Sequence, residues 1–176
     1  MLLDKYGKRI SFRDCGCADA DVANGLAVAG DPNRMLGNGV GDTPFGVYNF
    51  SGTQGGAVGW RDPNHPAAFG TGKILLDPLF GEVVDALRNL IRMHGGGTGL
   101  PDPYDLDQDL RPTQGCVRMK NGEINSLIHA INNLPTDDPL EFAFIGDDAY
   151  LNGLATNPLQ RNTRWQPVLR TNLGLP

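Results

Sequence analysis

Glycine and proline interrupt this chain so often that few of its segments are long enough to form a helix. There are 24 glycines and 13 prolines among 176 residues. Both residue types favour turns and end regular structure, so they predict many short elements and not a bundle of long helices. With 40% apolar residues, a chain of this length can still bury one core without disulfides or a structural metal.

The apolar pattern between these breakers predicts mostly strands. Short alternating or β-branched runs predict five of them, at residues 8–12, 25–30, 43–52, 73–78 and 139–146. The Asp-Pro pair that closes the fourth run is expected to end that strand. The expected fold class is therefore mainly β, a sandwich or barrel with one or two helices.

Two segments have the apolar spacing of a helix. In "NGEINSLIHAINNLP" the spacing predicts a helix with Asn121 as a candidate cap and Pro135 as its stop. The helix would bury a stripe formed by Ile124, Leu127, Ile128 and Ile131. Residues 82–91 also show helical spacing, although their end, "LIRMH", is equally compatible with a strand.

Charge and hydropathy exclude two classes of partner. The formal charge of −5 leaves no basic stripe for the phosphates of nucleic acid. No apolar run approaches the 18 residues of a membrane span, and charges interrupt the N-terminus too early for a signal peptide. The protein is expected either to act in the cytoplasm, or to be a trimmed or otherwise exported piece.

The three cysteines, Cys15, Cys17 and Cys116, leave at least one free thiol. Cys15 and Cys17 are too close in sequence for an unstrained disulfide. No histidine stands at a paired spacing from them, so neither a structural metal nor any other cofactor is expected.

Cys116 is the strongest candidate for a nucleophile, and His94 for its base. Cysteine attacks as the thiolate, and the cation of Arg118 with a helix start downstream is expected to lower the thiol pKa. His94 ends an apolar run and opens onto "GGGTG", where the glycines would let backbone or substrate approach closely. The amide of Gly115, with that of Cys116, suits a developing oxyanion. On the residues alone, a buried core cysteine and a structural histidine remain the alternative.

Three segments in order carry a resemblance to a known family. They are "GDTPFGVYNF" with Thr43, Pro44, Gly46 and Tyr48, then "MHGGG", then "TQGCVRMKN". Together they resemble the signature of the L,D-transpeptidase catalytic domain, the YkuD family. The resemblance covers residues 2–146, which implies a catalytic domain at 1–146 and an extension at 147–176. The extension has little periodicity and is expected to be extended, packing through Trp165 or staying mobile.

The resemblance also implies roles for residues on both sides of the spacer, the segment between His94 and Thr113. His94 would be the base, oriented by a backbone carbonyl such as that of Gly95. Thr113 would shape the loop before the nucleophile, and Arg118 would lie near a substrate carboxylate. Gln114 stands where the family often has a second histidine.

The family acts on peptidoglycan stem peptides through a thioester on the cysteine. It passes the acyl group to an amine in transpeptidation, or to water in carboxypeptidase activity. The resemblance therefore implies a periplasmic or secreted enzyme that needs no metal. An exported antibacterial effector with an immunity or secretion partner is one form of this expectation.

Two other functions stay open. A papain-like or NlpC/P60-like peptidase would use Cys15 or Cys17, and a wall-binding module would keep the fold without activity. Asp105, Asp107 and Asp109 resemble the start of a calcium loop but lack its glycine and glutamate. Residues 102–109 are therefore expected to be a solvated acidic loop over the cleft.

The remaining histidines and tryptophans are expected to be structural. His65 and His129 are predicted at the surface, the first in a loop and the second off the apolar stripe of its helix. For Trp60 and Trp165, core or docking roles are favoured over ligand contacts.

Overall fold

A computed structural model describes most of the chain. The described residues are 2–4, 9–10, 43–110, 113, 115–136, 140–161 and 163–175. The strand predicted at 25–30, Gln114, Cys15 and Cys17 lie outside the described residues.

The strands form one mixed sheet. They are β1 (Leu2–Asp4), β2 (Arg9–Ile10), β3 (Gly46–Gly55), β4 (Gly72–Gly81), β5 (Ile91–His94), β6 (Val117–Arg118) and β7 (Leu140–Ile145). The order across the sheet is β2-β1-β7-β3-β4-β5-β6. Every described pairing is antiparallel except that of β5 with β6, which is parallel. The parallel pair brings the ends of two distant segments together at one edge.

The described helices are α1 (Pro66–Phe69), α2 (Glu82–Asp85), α3 (Asn121–Asn132), α4 (Asp148–Thr156) and α5 (Trp165–Asn172), with a 3₁₀ turn at Pro158–Gln160. The mixed sheet confirms the expected fold class only in part, because several helices stand where one or two were expected and make the fold a mixed α/β one. None of the helices in the described part of the chain is long and apolar enough to cross a membrane.

Helix α3 covers one face of the sheet with the predicted stripe. Ile124, Leu127, Ile128 and Ile131 are all buried there, in a cluster that includes Tyr48 of β3. Because successive residues of a strand point to opposite faces, Val47 faces the other side. This face carries the second cluster, which includes α4 and α5. The sheet therefore lies between two helical layers.

The C-terminal segment differs from its expected extended form. It folds into α4 and α5, and Trp165 is buried against the ring of Phe80 at a centroid distance of 5.3 Å. The packing role expected for Trp165 is thus confirmed. The boundary at 146/147 itself stays a prediction, although side chains from both sides of it share the second cluster.

The predicted ends of two elements were wrong. Strand β4 continues past Asp77-Pro78 to Gly81, because Pro78 pairs with Tyr48 at a break in the register, where its missing N–H matters less. The helix predicted for 82–91 stops at Asp85. "LIRMH" supplies β5, so the strand interpretation of that segment is confirmed.

Candidate active site

Two neighbouring parallel strands deliver His94 and Cys116. His94 is the last residue of β5, and Cys116 immediately precedes β6. The register pairs Met93 with Val117 and His94 with Arg118. If this register is continued by one residue, Cys116 lies beside Arg92. Its side chain is then on the same face of the sheet as that of His94. The two are diagonal neighbours, roughly 8 Å apart at Cα from the strand spacing and rise.

His94 is a neutral imidazole with one defined tautomer. Its Nδ1 lies 2.7 Å from the carbonyl oxygen of Gly95, so Nδ1 carries the proton and donates it. The contact implied by the resemblance is therefore present. Burial and then the Arg118 cation lower the pKa of His94 to about 3, against the opposing carbonyls of Gly95 and Ala68. In this tautomer the lone pair is on Nε2, although a pKa of about 3 makes that nitrogen a weak base at neutral pH.

An aromatic ring helps to fix this imidazole. The ring of Phe69, at the end of α1, meets His94 edge-on with centroids 5.0 Å apart. Lys73, the cross-strand neighbour of His94, lies over the same phenyl ring and forms an ion pair with buried Asp62. His94 is therefore confined by side chains on two sides.

The thiol of Cys116 is partly buried and uncharged. Its Sγ lies 3.8 Å from the carbonyl oxygen of Leu90. Burial raises the pKa of Cys116, although Arg92, Arg118 and Arg88 act in the opposite direction. The expectation of a lowered thiol pKa was wrong, because desolvation outweighs these cations and α3 begins only at residue 121.

Cys116 and His94 each have a backbone partner, and no hydrogen bond joins the two side chains. The register brings them onto one face, but a proton transfer between them needs a rotation of the thiol. Such loose geometry is common for nucleophile and base before substrate binds.

The turn before Cys116 is closed by Thr113. Its Oγ1 donates to the carbonyl of Cys116 at 2.6 Å, which agrees with the loop-shaping role implied for it. Gly115 has a φ of 97°, a conformation that glycine adopts without strain. The amide of Met119 donates to the backbone carbonyl oxygen of His94 at 2.8 Å.

Arg118 is buried beside the candidate base. Its side chain is 4% exposed, and it donates to the carbonyl of Gly96. Its Nε is buried with no hydrogen-bond partner among the described residues. Burial lowers the pKa of Arg118 to about 10, so it remains a cation at neutral pH. It supplies a positive field on the face that carries Cys116 and His94.

The glycines after His94 make room for protein and not for substrate. A Cβ at Gly95 would lie 2.0 Å from the side-chain oxygen of Asn121. One at Gly96 would lie 2.3 Å from the backbone nitrogen of Gly70, and one at Gly97 would lie 2.5 Å from Arg118. The expectation that this run lets a ligand approach closely is therefore wrong at these three positions, because protein atoms occupy the space beside each glycine.

Asn121 connects the segments around the site, a role that sequence reasoning missed. Its Oδ1 accepts from the amides of Thr71 and Gly96, each at 3.1 Å. Its Nδ2 donates to the carbonyls of Pro103 and Asp105, at 2.9 and 2.7 Å. Its position just after "CVRMK" was the one signal in the sequence that could have indicated this role. The helix cap is Lys120, so the interpretation of Asn121 as a cap was wrong.

The acidic loop is attached to the start of α3. Gln108 is buried, donates to the carbonyl of Met119 at 3.0 Å and accepts from the amide of Asn121 at 2.7 Å. Asp105, Asp107 and Asp109 are exposed as expected. In the described part of the chain, no group of three or more His, Cys, Asp or Glu side chains is placed to bind a metal ion.

The other singled-out residues lie where a structural role would put them. His65 and His129 are exposed, and Trp165 is in the core, whereas Trp60 is only half-buried. Tyr48 of the first family landmark is fully buried, and its hydroxyl donates to the carbonyl of Pro44 at 2.6 Å.

Comparison with protein-family models, with curated proteins and with solved structures finds no match to this chain.

Proposed function

We propose that this protein is a cysteine-dependent L,D-transpeptidase or L,D-carboxypeptidase acting on peptidoglycan stem peptides. The observation that supports this most is the placement of Cys116 and His94 on one face of two parallel strands, with His94 held in the tautomer of a base. The order of the sequence motifs supplies the reaction class. The finer fold assignment, an L,D-transpeptidase-like domain, is part of the same proposal.

The proposed reaction begins with a neutral pair. Cys116 Sγ attacks the substrate carbonyl while its proton moves to Nε2 of His94, and the protonated imidazole then gives that proton to the leaving amine. A thioester remains on Cys116. An amine acceptor regenerates the thiol in transpeptidation, and water does so in hydrolysis. Proton transfer must accompany attack because burial keeps the resting thiol protonated.

The amide of Cys116 and the cation of Arg118 would stabilise charge during this reaction. The amide of Cys116 would donate to the oxyanion together with that of Gly115. Arg118 stabilises negative charge on the same face and disfavours a resting imidazolium. A wall substrate would place the protein in the periplasm or outside the cell, where an effector role belongs to the same proposal.

The decisive experiment combines hydrolysis with active-site labelling. Purified protein is incubated with a stem tetrapeptide, and D-alanine release is measured. Cys116→Ala and His94→Gln should each lower release by at least about 100-fold, from the size of general-base catalysis. His129→Gln, which alters an exposed histidine on α3, should keep full activity. A carbapenem-type acylating probe should add its mass to the wild type and not to Cys116→Ala.

The same assay distinguishes the alternatives. Activity that survives Cys116→Ala but is lost in a Cys15→Ser or Cys17→Ser variant would point to the papain-like or NlpC/P60-like peptidase. Binding of muropeptides without hydrolysis and without a covalent adduct would indicate a non-catalytic module. The raised pKa of Cys116 is the observation that favours this second candidate.

A further inference from the structure

The C-terminal segment differs in charge from the rest of the chain. From Ala149 to Pro176 there are three arginines, Arg161, Arg164 and Arg170, and no acidic side chain or lysine. Their +3, subtracted from the formal net charge of −5, leaves −8 on residues 1–148. A cationic segment on an acidic protein indicates attraction to an anionic ligand, independently of the candidate active site.

Two of these arginines line one cavity. It has a volume of about 390 Å³ and lies between the 3₁₀ turn and α5. Its lining residues are Arg161, Gln166, Pro167, Arg170, Thr171 and Leu175. None of them is acidic. In the described part of the chain, no carboxylate forms an ion pair with either arginine, whereas Arg164 pairs with Glu141.

Buried contacts hold the two sides of the cavity in place. Gln166 is 2% exposed and donates to the carbonyls of Leu154 and Asn157, at 3.0 and 2.8 Å. It thereby fixes the 3₁₀ turn, which Arg161 directly follows, against α5. The fully buried Leu169 anchors the same helix next to Arg170. The core therefore fixes the backbone positions from which the two arginine side chains extend, which lowers the entropic cost of binding between them.

Among the described residues, neither guanidinium has all of its donors occupied. One terminal nitrogen of Arg170 reaches the carbonyl of Ala155 at 3.3 Å, which leaves most of its five N–H groups available. Planar guanidinium forks match the paired oxygens of carboxylate and phosphate groups. We propose that Arg161 and Arg170 form a binding site for the phosphate or carboxylate group of a ligand.

The test uses the full-length protein and simple probes. Inorganic phosphate and acetate are titrated separately, and amide chemical shifts are followed by NMR. Signals of residues 161, 166, 170 and 171 should shift with saturation, and binding should weaken with added NaCl. Stronger binding of phosphate or of acetate tells which oxyanion the site prefers.

Matched arginine variants decide the outcome. Arg161→Gln and Arg170→Gln should each weaken binding by about 10-fold, as expected for loss of a charge-assisted hydrogen bond. Arg164→Gln removes the same charge outside the cavity and should leave the affinity within about twofold. Equal weakening in all three variants, or no saturable shift with either probe, would overturn the proposal. Thermal melts of each variant verify folding, and Arg170→Lys serves as a second variant if Arg170→Gln melts early.

Discussion

Burial controls the protonation of both residues that the sequence singles out. The order of motifs singles out His94 and Cys116 in the sequence as candidate site residues, because each stands next to glycine in a recognisable pattern. Their protonation states follow from desolvation, which only the folded packing sets: the pKa of His94 is lowered and that of Cys116 is raised. Arg118 and the helix start downstream suggested a lowered thiol pKa in the sequence, but desolvation outweighs them.

The lowered pKa of His94 predicts a pH-dependent stability. The unfolded state binds a proton near pH 6.5, whereas the folded state binds it only near pH 3. Stability is therefore fully present above pH 6.5 and is lost as pH falls toward 3. We expect His94 to contribute a loss of about 1–2 kcal/mol between pH 6.5 and pH 5.

Urea unfolding at these two pH values measures this contribution. His94→Gln should show a smaller loss than the wild type, while His129→Gln, which changes an exposed histidine, should match the wild type. An unchanged pH dependence in His94→Gln would mean that the imidazole is solvated in the folded protein.

At the scale of elements, apolar periodicity predicted the helix and strands that bury one face against a neighbouring layer. The stripe of α3 and the strands at 43–52 and 139–146 follow from alternation that the sheet and helix preserve. The segment 82–91 has an equally good helical pattern but divides between α2 and β5. Leu87 and Leu90 adopt positive φ values of 53° and 58°, a left-handed conformation that leucine disfavours.

Leu87 provides a test of that backbone strain. It is 82% exposed, so replacing it with glycine removes little packing. The left-handed conformation costs a non-glycine residue about 1–2 kcal/mol, part of which glycine loses to unfolded-state entropy. We expect Leu87→Gly to raise the free energy of unfolding by up to about 1 kcal/mol.

Leu159 is the matched control for this substitution. It is 86% exposed and lies in the 3₁₀ turn, outside the positive φ region. Leu159→Gly should lower the free energy of unfolding by about 0.5–1 kcal/mol. Both variants are measured by guanidinium denaturation. A comparable loss in both would contradict the strained conformation at Leu87.

At the scale of the whole molecule, the C-terminal segment was the least predictable part. Its many Asn and Arg residues leave few apolar positions in α4 and α5. Those positions form a recognisable pattern only once the sheet face that they cover is known. Val47, Phe142 and Phe144 supply that face. A helix defined by distant partners leaves only a weak pattern in its own sequence.

Trp165 tests whether this segment and the sheet unfold together. The chain has two tryptophans, so Trp165→Phe and Trp165→Ala both leave Trp60 as the fluorescent probe of the sheet. The alanine variant should be less stable by about 3–5 kcal/mol, because it empties a buried aromatic site. Guanidinium unfolding followed by Trp60 fluorescence should therefore move to a lower midpoint than in the phenylalanine variant. Equal midpoints would show that residues 147–176 form a separate unit.

The four side-chain contacts of Asn121 have a consequence for the order in which the molecule forms. Its partners lie 16, 18, 25 and 50 residues earlier in the chain. Contacts over such separations form only after several chain loops have closed. We therefore expect the surroundings of His94 to be completed late in folding, so that a nascent or partly opened chain carries His94 and Cys116 without the packing that fixes the imidazole.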